Sequence, residues 1–412
     1  MVLLTTMALA MEPVVWEDEG TTAVLVEDHR QPLVEVRFQL PAGSAHPWFA
    51  DAHLEEAWDN LLYDGEGALR ARADALSVDL YTSAGSRSST LGLSCLKADL
   101  PDAMTLVADV LANRSFDKDE LKRTGQGRKL GWKSSQKDPN WRLQQAAVQL
   151  FFPAGDVRLS AWEEPASVKK SGIGAELDTL LGLPGRILGL AGDVTRDEAQ
   201  ALIEGVLPPV VQAPEGLELT VETPLADQPE RLVVPMENLT QAYLAVVRVG
   251  LTLDDPDYPA WKVANHVLAG HFYSRLYVAL RHEGGETYGV GSWFTPQDVA
   301  MHYGLWTFTR AENVDVTLDK LRGTIETFRA EGLTDDELAE TRGYFRGRLQ
   351  FGQQSPAQVL DRAMSDLARG VEVGFSEQVV EAIEALELDD VNAFVADFYA
   401  ADAFTEVLVQ PE

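Results

Sequence analysis

Residues 119–139 read D-E-L-K-R-T-G-Q-G-R-K-L-G-W-K-S-S-Q-K-D-P, and residues 336–356 read D-E-L-A-E-T-R-G-Y-F-R-G-R-L-Q-F-G-Q-Q-S-P. The opening D-E-L and the closing proline recur at one offset, because Leu121 and Leu338, like Pro139 and Pro356, stand 217 residues apart. Two anchors at a common spacing indicate a duplicated unit. The period is far longer than the ~50 residues of a solenoid repeat, so the chain is two large copies rather than an array.

Patterning outward from these anchors agrees. In the first half, residues 23–26 and 33–40 read as strands, the second (L-V-E-V-R-F-Q-L) with apolar and polar residues alternating at period two. Residues 51–63 read as one helix with Asp51 as N-cap. A strand pair at 78–83 and 88–95 follows, then helices at 100–111 and 118–133, with Pro139 opening another. The second half repeats the order: strand 243–251, helices 259–268 and 274–281, strands 288–294 and 303–308, helices 314–329 and 334–349. Between the halves, Pro208, Pro209, Pro214, Pro224, Pro229 and Pro235 alternate with acids, which reads as a semi-rigid linker. The expected fold class is α+β. Two homologous lobes, 21–207 and 236–412, each carry an antiparallel-rich sheet flanked by helices and are joined by a linker at 208–235. Residues 1–20 form an N-terminal segment.

Composition narrows the function classes. Thirty-four basic residues against 65 acidic ones leave a net charge of −31, which repels nucleic acid and anionic lipid surfaces. The single cysteine, Cys95, rules out an internal disulfide and any multi-cysteine metal site, and reads as a buried strand thiol. No segment has the ~20 apolar residues of a membrane helix. The N-terminal run ends in Ala8-Leu9-Ala10, which resembles a signal-peptidase site without a basic n-region. It favours a periplasmic or exported location over a cytoplasmic one.

Common catalytic motifs are missing. There is no G-x-S-x-G, no Walker A loop and no H-E-x-x-H. Gly125 with Gly127, Gly172 with Gly174 and Gly289 with Gly291 form G-x-G pairs, but none has the third glycine of a dinucleotide fingerprint. His266 and His271 would lie ~140° apart on a continuous helix and would not converge on a metal.

Several local runs resemble the pitrilysin/insulinase-type zinc metallopeptidases, including short bacterial members and mitochondrial processing peptidase subunits. Pro41-Ala42-Gly43-Ser44 and Leu190-Ala191-Gly192-Asp193-Val194 are similar to the family's "aGs" and "vaGDv". Residues 273–292, Y-S-R-L-Y-V-A-L-R-H-E-G-G-E-T-Y-G-V-G-S, resemble its "SrLf-x-x-vRe-x-x-gl-x-Y-x-v-x-s", extended by Gly332-Leu333-Thr334 with Glu337-Leu338. The resemblance implies an inverted H-x-x-E-H motif on the first-lobe helix. Its two His would ligate zinc, its Glu would act as general base, and a Glu downstream would be the third ligand.

Two frames place that motif here. One starts at His53 and gives His53, Glu56 and Ala57. The other, ungapped between Gly43 and Leu61-Leu62-x-x-Gly65, gives Glu56, Asp59 and Asn60, with His53 replacing a small family glycine. The second frame is preferred. Neither supplies a His pair, so no metal is expected on this chain. Glu56 and Asp59 then read as a solvated acidic helix face. The third ligand should fall near Gly131, yet residues 121–137 hold no acid and carry Lys122, Arg123, Arg128, Lys129, Lys133 and Lys137. Positive charge there is electrostatically wrong for a dication.

The resemblance also implies an Arg and a Tyr seven residues apart that grip the substrate backbone and stabilise the carbonyl under attack. Arg281 and Tyr288 keep that spacing, although His282 departs from the family's usual Glu. A guanidinium and a phenol both suit a developing oxyanion. The expected function is the non-catalytic subunit of a heterodimeric zinc peptidase. This chain would supply Arg281 and Tyr288, and a homologous H-x-x-E-H partner would carry the zinc. The acidic balance points to basic or unfolded peptide substrates, bound more weakly as salt rises. A non-enzymatic scaffold or peptide-binding shell is the alternative, and a stand-alone peptidase with an atypical carboxylate site is a third reading.

Overall fold

The computed structural model describes residues 11–51, 53–165, 173–206, 208–294 and 299–412. The signal-like Ala8-Leu9-Ala10 and Gly172 of one G-x-G pair lie outside the described residues.

The chain forms two α+β units, each built on one sheet. The first sheet holds β1 (Val14–Asp18), β2 (Thr21–Glu27), β3 (Leu33–Leu40), β4 (Asp79–Ala84), β5 (Ser89–Leu96) and β6 (Arg186–Gly192), in the order β1-β2-β6-β3-β5-β4. The second holds β7 (Arg231–Met236), β8 (Gln241–Val249), β9 (Val290–Trp293), β10 (His302–Arg310) and β11 (Thr405–Pro411), in the order β7-β11-β8-β10-β9. In each sheet one pair is parallel, β2 with β6 and β7 with β11; all other pairings are antiparallel. Strand for strand, β2-β6-β3-β5-β4 matches β7-β11-β8-β10-β9, so the duplication inferred from the anchors is present in the topology. Among the described residues β1 is the one strand without a counterpart. It adds residues 14–18, placed above in a separate N-terminal segment, to the first sheet.

The compact units are not the contiguous halves 21–207 and 236–412. One comprises residues 1–129, 165–219 and 350–374, and the other residues 130–164, 220–349 and 375–412. The exchange involves the two helices opened by the paired prolines. Helix Pro139–Phe151 buries Leu143, Ala147, Val148 and Phe151 against Ala245, Val247, Val407 and Val409 of the second sheet. Helix Pro356–Ala368 buries Val359, Leu360, Ala363 and Met364 against Val24, Val26, Ile187 and Ala191 of the first. Gly189 on β6 permits this approach, because a Cβ there would lie 2.3 Å from the Met364 sulfur. The stretch 208–235 also divides: residues 231–235 are part of β7, paired in parallel with β11.

Helix Lys118–Ser135 and helix Asp335–Phe351 carry the chain across the unit boundaries. Both contain interior glycines, Gly127 and Gly347, whose Cβ positions face open space. Interior helical glycine costs about 0.5–1 kcal/mol relative to alanine. Gly127→Ala and Gly347→Ala should therefore each raise the unfolding free energy by about that amount in urea titration. A loss of stability in either would mean that the helix must bend there.

Candidate functional site

The helix expected at 51–63 is broken. Helix Pro47–Asp51 ends on Asp51, so Asp51 is not an N-cap, and helix Leu54–Asp59 begins after His53. His53 is buried in a left-handed conformation, φ 56° and ψ 37°, through which no helix runs. Glycine adopts that backbone most readily, which accords with the frame that puts a family glycine at this position. Leu54, Ala57, Trp58 and Leu61 all face the core, and the Trp58 indole N–H donates to the Thr90 carbonyl at 3.0 Å. Ala57, the second-ligand position of the His53 frame, is thus a buried apolar residue with no donor atom.

Glu56 is not solvated. It is 1% exposed, and the Arg128 guanidinium donates to its Oε1 at 2.5 Å. The other terminal nitrogen of Arg128 donates to Glu55. Burial outweighs that guanidinium and pushes the Glu55 carboxyl up to about 7. Burial also raises Asp59 to about 6, against the pull of Arg128. The Asn60 side-chain amide donates to the Glu56 carbonyl at 2.8 Å and to the Thr124 hydroxyl at 2.9 Å. Its N–H groups therefore tie two helices together.

These residues do not fit zinc. The expected third-ligand position near Gly131 gives way to Arg128, three residues earlier on the same helix, and that side chain brings a cation instead of a lone pair. Asn60, at the second-ligand position, spends its amide on structure. Among the described residues no group of three or more His, Cys, Asp or Glu is arranged to hold a metal ion. A guanidinium already supplies the positive charge beside these acids.

Arg281 lies in a π-helical turn, Val278–Glu283, a geometry frequent at functional sites. Its guanidinium lies 5.0 Å from the centre of the Tyr277 ring, and among the described residues no carboxylate pairs with it. Tyr288, just ahead of β9, is 80% exposed. The backbone around it is pinned. The Thr309 hydroxyl donates to the Glu286 carbonyl at 2.9 Å, and the Thr307 hydroxyl donates to the Gly289 carbonyl at 2.8 Å. The Gly289 N–H donates to the Thr287 hydroxyl at 3.1 Å. A large exposed ring on an anchored backbone is available for contact at little ordering cost. No hydrogen bond or ring contact joins Arg281 to Tyr288. His282 packs edge-on against Tyr277 at 5.4 Å.

His266 and His271 depart from expectation. The helix stops at Ala269, so the chain turns and the two rings meet at 4.6 Å. Burial pushes His266, on which the Tyr344 ring stacks, down to about 4. Cys95 is the buried strand thiol expected of it, with burial raising its pKa to about 11. Sequence reading missed Glu55 and the target of Arg128. The signal was there in a lone basic run facing an acid pair, but the spacing does not name the partner.

Residues 187–345, which include Arg281 and Tyr288, match the family model described as Peptidase M16 inactive domain. An uncharacterized zinc protease of Streptomyces coelicolor is 27% identical over 158 residues, 38% of this chain and 34% of that protein. An uncharacterized zinc protease of Bacillus subtilis is 23% identical over 172 residues, 42% of each. The matched segments thus span less than half of the length of these curated relatives. The crystal structure of a peptidase M16 inactive domain from Pseudomonas fluorescens superposes with a TM-score of 0.80 at 22% identity, covering 97% of this chain and 98% of that one. The periplasmic protease PqqL of Escherichia coli has a TM-score of 0.79 at 14% identity, covering 98% of this chain and 46% of that one. A fold shared along the whole chain with these solved structures and a match to the inactive domain agree: the chain has an M16 peptidase-like fold, and its residues 187–345 are similar to that family's inactive domain.

Proposed function

We propose that this chain is the non-catalytic subunit of a heterodimeric zinc peptidase, presenting Arg281 and Tyr288 to peptide substrates cleaved by an H-x-x-E-H partner. The observation that carries the reading is the Arg128 guanidinium seated on Glu55 and buried Glu56. It opposes a stand-alone metal site on this chain, while Tyr288 keeps the exposure and half-buried Arg281 the charge without an ion-pair partner that substrate contact needs. Zinc belongs to the partner in this reading. Arg281 would hold a peptide carbonyl through fixed N–H donors, and the Tyr288 hydroxyl would donate to the oxygen that gains charge.

The test is reconstitution with a homologous zinc-bearing subunit and turnover of an unfolded basic peptide. Arg281→Ala with Tyr288→Phe should lower kcat by about 10²–10³-fold, the effect of losing oxyanion donors, while leaving assembly intact. Unchanged turnover in the assembled complex, or no assembly, would favour the scaffold reading. Stoichiometric zinc together with turnover by this chain alone would refute the division of labour.

A further inference from the structure

The second unit carries a solvent-open cavity of ≈ 890 Å³, lined by neither Arg281 nor Tyr288. That volume falls within the range of small-ligand sites, about 300–1,000 Å³. Its apolar wall comes from Phe151, Val246, Ile325 and Phe404, and two guanidinium groups, Arg248 and Arg322, reach it.

The two arginines differ. Arg322 pairs with Glu406, which is 1% exposed and is also held by Arg231 at 2.5 Å. Arg248, on β8, is held by neutral groups. Its Nε donates to the Val249 carbonyl at 3.2 Å, a terminal nitrogen donates to the Phe398 carbonyl, and its face lies 3.9 Å from the Phe398 ring centre. Among the described residues no carboxylate lies within ion-pair distance, and Asp397 acts on it only from farther off. Burial lowers its pKa from the ordinary arginine value. A half-buried guanidinium without an ion-pair partner is a ready anchor for an anionic group.

The rest of the cavity restricts what that can be. Glu230, Glu326 and Asp402 stand at the same walls. A bare phosphate would meet more acids than bases. A ligand with one carboxylate, N–H donors and an apolar body suits the guanidinium, the wall acids and the aromatic wall together.

We propose that this cavity binds short hydrophobic peptides by their free C-terminal carboxylate, with Arg248 as the anchor. The site does not depend on the role given to Arg281 and Tyr288.

Calorimetric titration of the full chain with the dipeptide Leu-Phe tests it. Saturable binding with a Kd below about 1 mM is expected, weakened at least about tenfold for the C-terminal amide. Arg248→Gln should weaken Leu-Phe by about tenfold or more. Ala403→Trp, which adds bulk at another lining position, should do the same and carries the test if Arg248→Gln fails to fold. Equal binding of acid and amide, unchanged binding in both variants, or no saturable binding overturns the proposal. So does loss of Leu-Phe binding in Arg281→Ala alone, which would place the peptide at the other site.

Discussion

Arg128→Ala is expected to lower the unfolding free energy at neutral pH by about 3–5 kcal/mol, the cost of leaving a buried charge without its partner. The basis is a cluster of three acids, Glu55, Glu56 and Asp59, served by one guanidinium. The Glu56 side chain is 2% exposed and that of Arg128 26%, so solvent screens the pair weakly. The pH dependence gives a second readout. Glu55 at about 7 and Asp59 at about 6 stand above their unfolded values of 4.5 and 3.8. The fold therefore binds these protons more tightly than the unfolded chain does. Their unfavourable contribution is complete above the folded pKa and is relieved as pH falls through it toward the unfolded one. Without Arg128 the repulsion grows, so the deficit of the variant should be greatest near neutrality and should shrink toward about pH 5. Urea titrations at both pH values check this. A deficit below about 1 kcal/mol at neutral pH, flat with pH, would show that Arg128 is not the counter-ion of the cluster.

His302→Phe is expected to gain on the wild type by about 3 kcal/mol between neutral pH and about pH 4. His302 on β10 is 8% exposed, and neither ring nitrogen has a hydrogen-bond partner among the described residues. Burial pushes its pKa down to about 4 from 6.5. Here the folded value lies below the unfolded one, so the neutral ring's contribution is intact above about 6.5 and drains away as pH falls toward about 4. Phenylalanine keeps the ring next to Trp293, whose centre lies 6.3 Å away, and removes the titration. Comparing variant with wild type at each pH cancels the opposite trend from Glu55 and Asp59. A difference that stays constant with pH would mean that His302 is solvated or paired when the fold opens to acid.

Much of the architecture could be read from local patterns, because those patterns are local physics. Period-two alternation gives β3 its bounds, Leu33–Leu40, and the apolar stripe of Leu100–Leu111 gives that helix its own. Tertiary packing overrode the pattern at His53. Its side chain and those of Leu54 and Trp58 must all be buried, so the chain leaves the helical path and an unbroken helix gives way to two short ones.

The sequence by itself determined that there are two copies of one α+β unit, that no H-x-x-E-H stands in it, and that Arg281 and Tyr288 lie seven residues apart. It could do so because repeats, missing residue types and short spacings are written along the chain. Only the tertiary structure decided which sheet each proline-opened helix covers, and that Arg128 pairs with Glu55 and Glu56. Helices Pro139–Phe151 and Pro356–Ala368 both have an apolar face. An apolar stripe specifies burial but no partner, and a basic run specifies charge but no target. Those choices are made when distant segments meet.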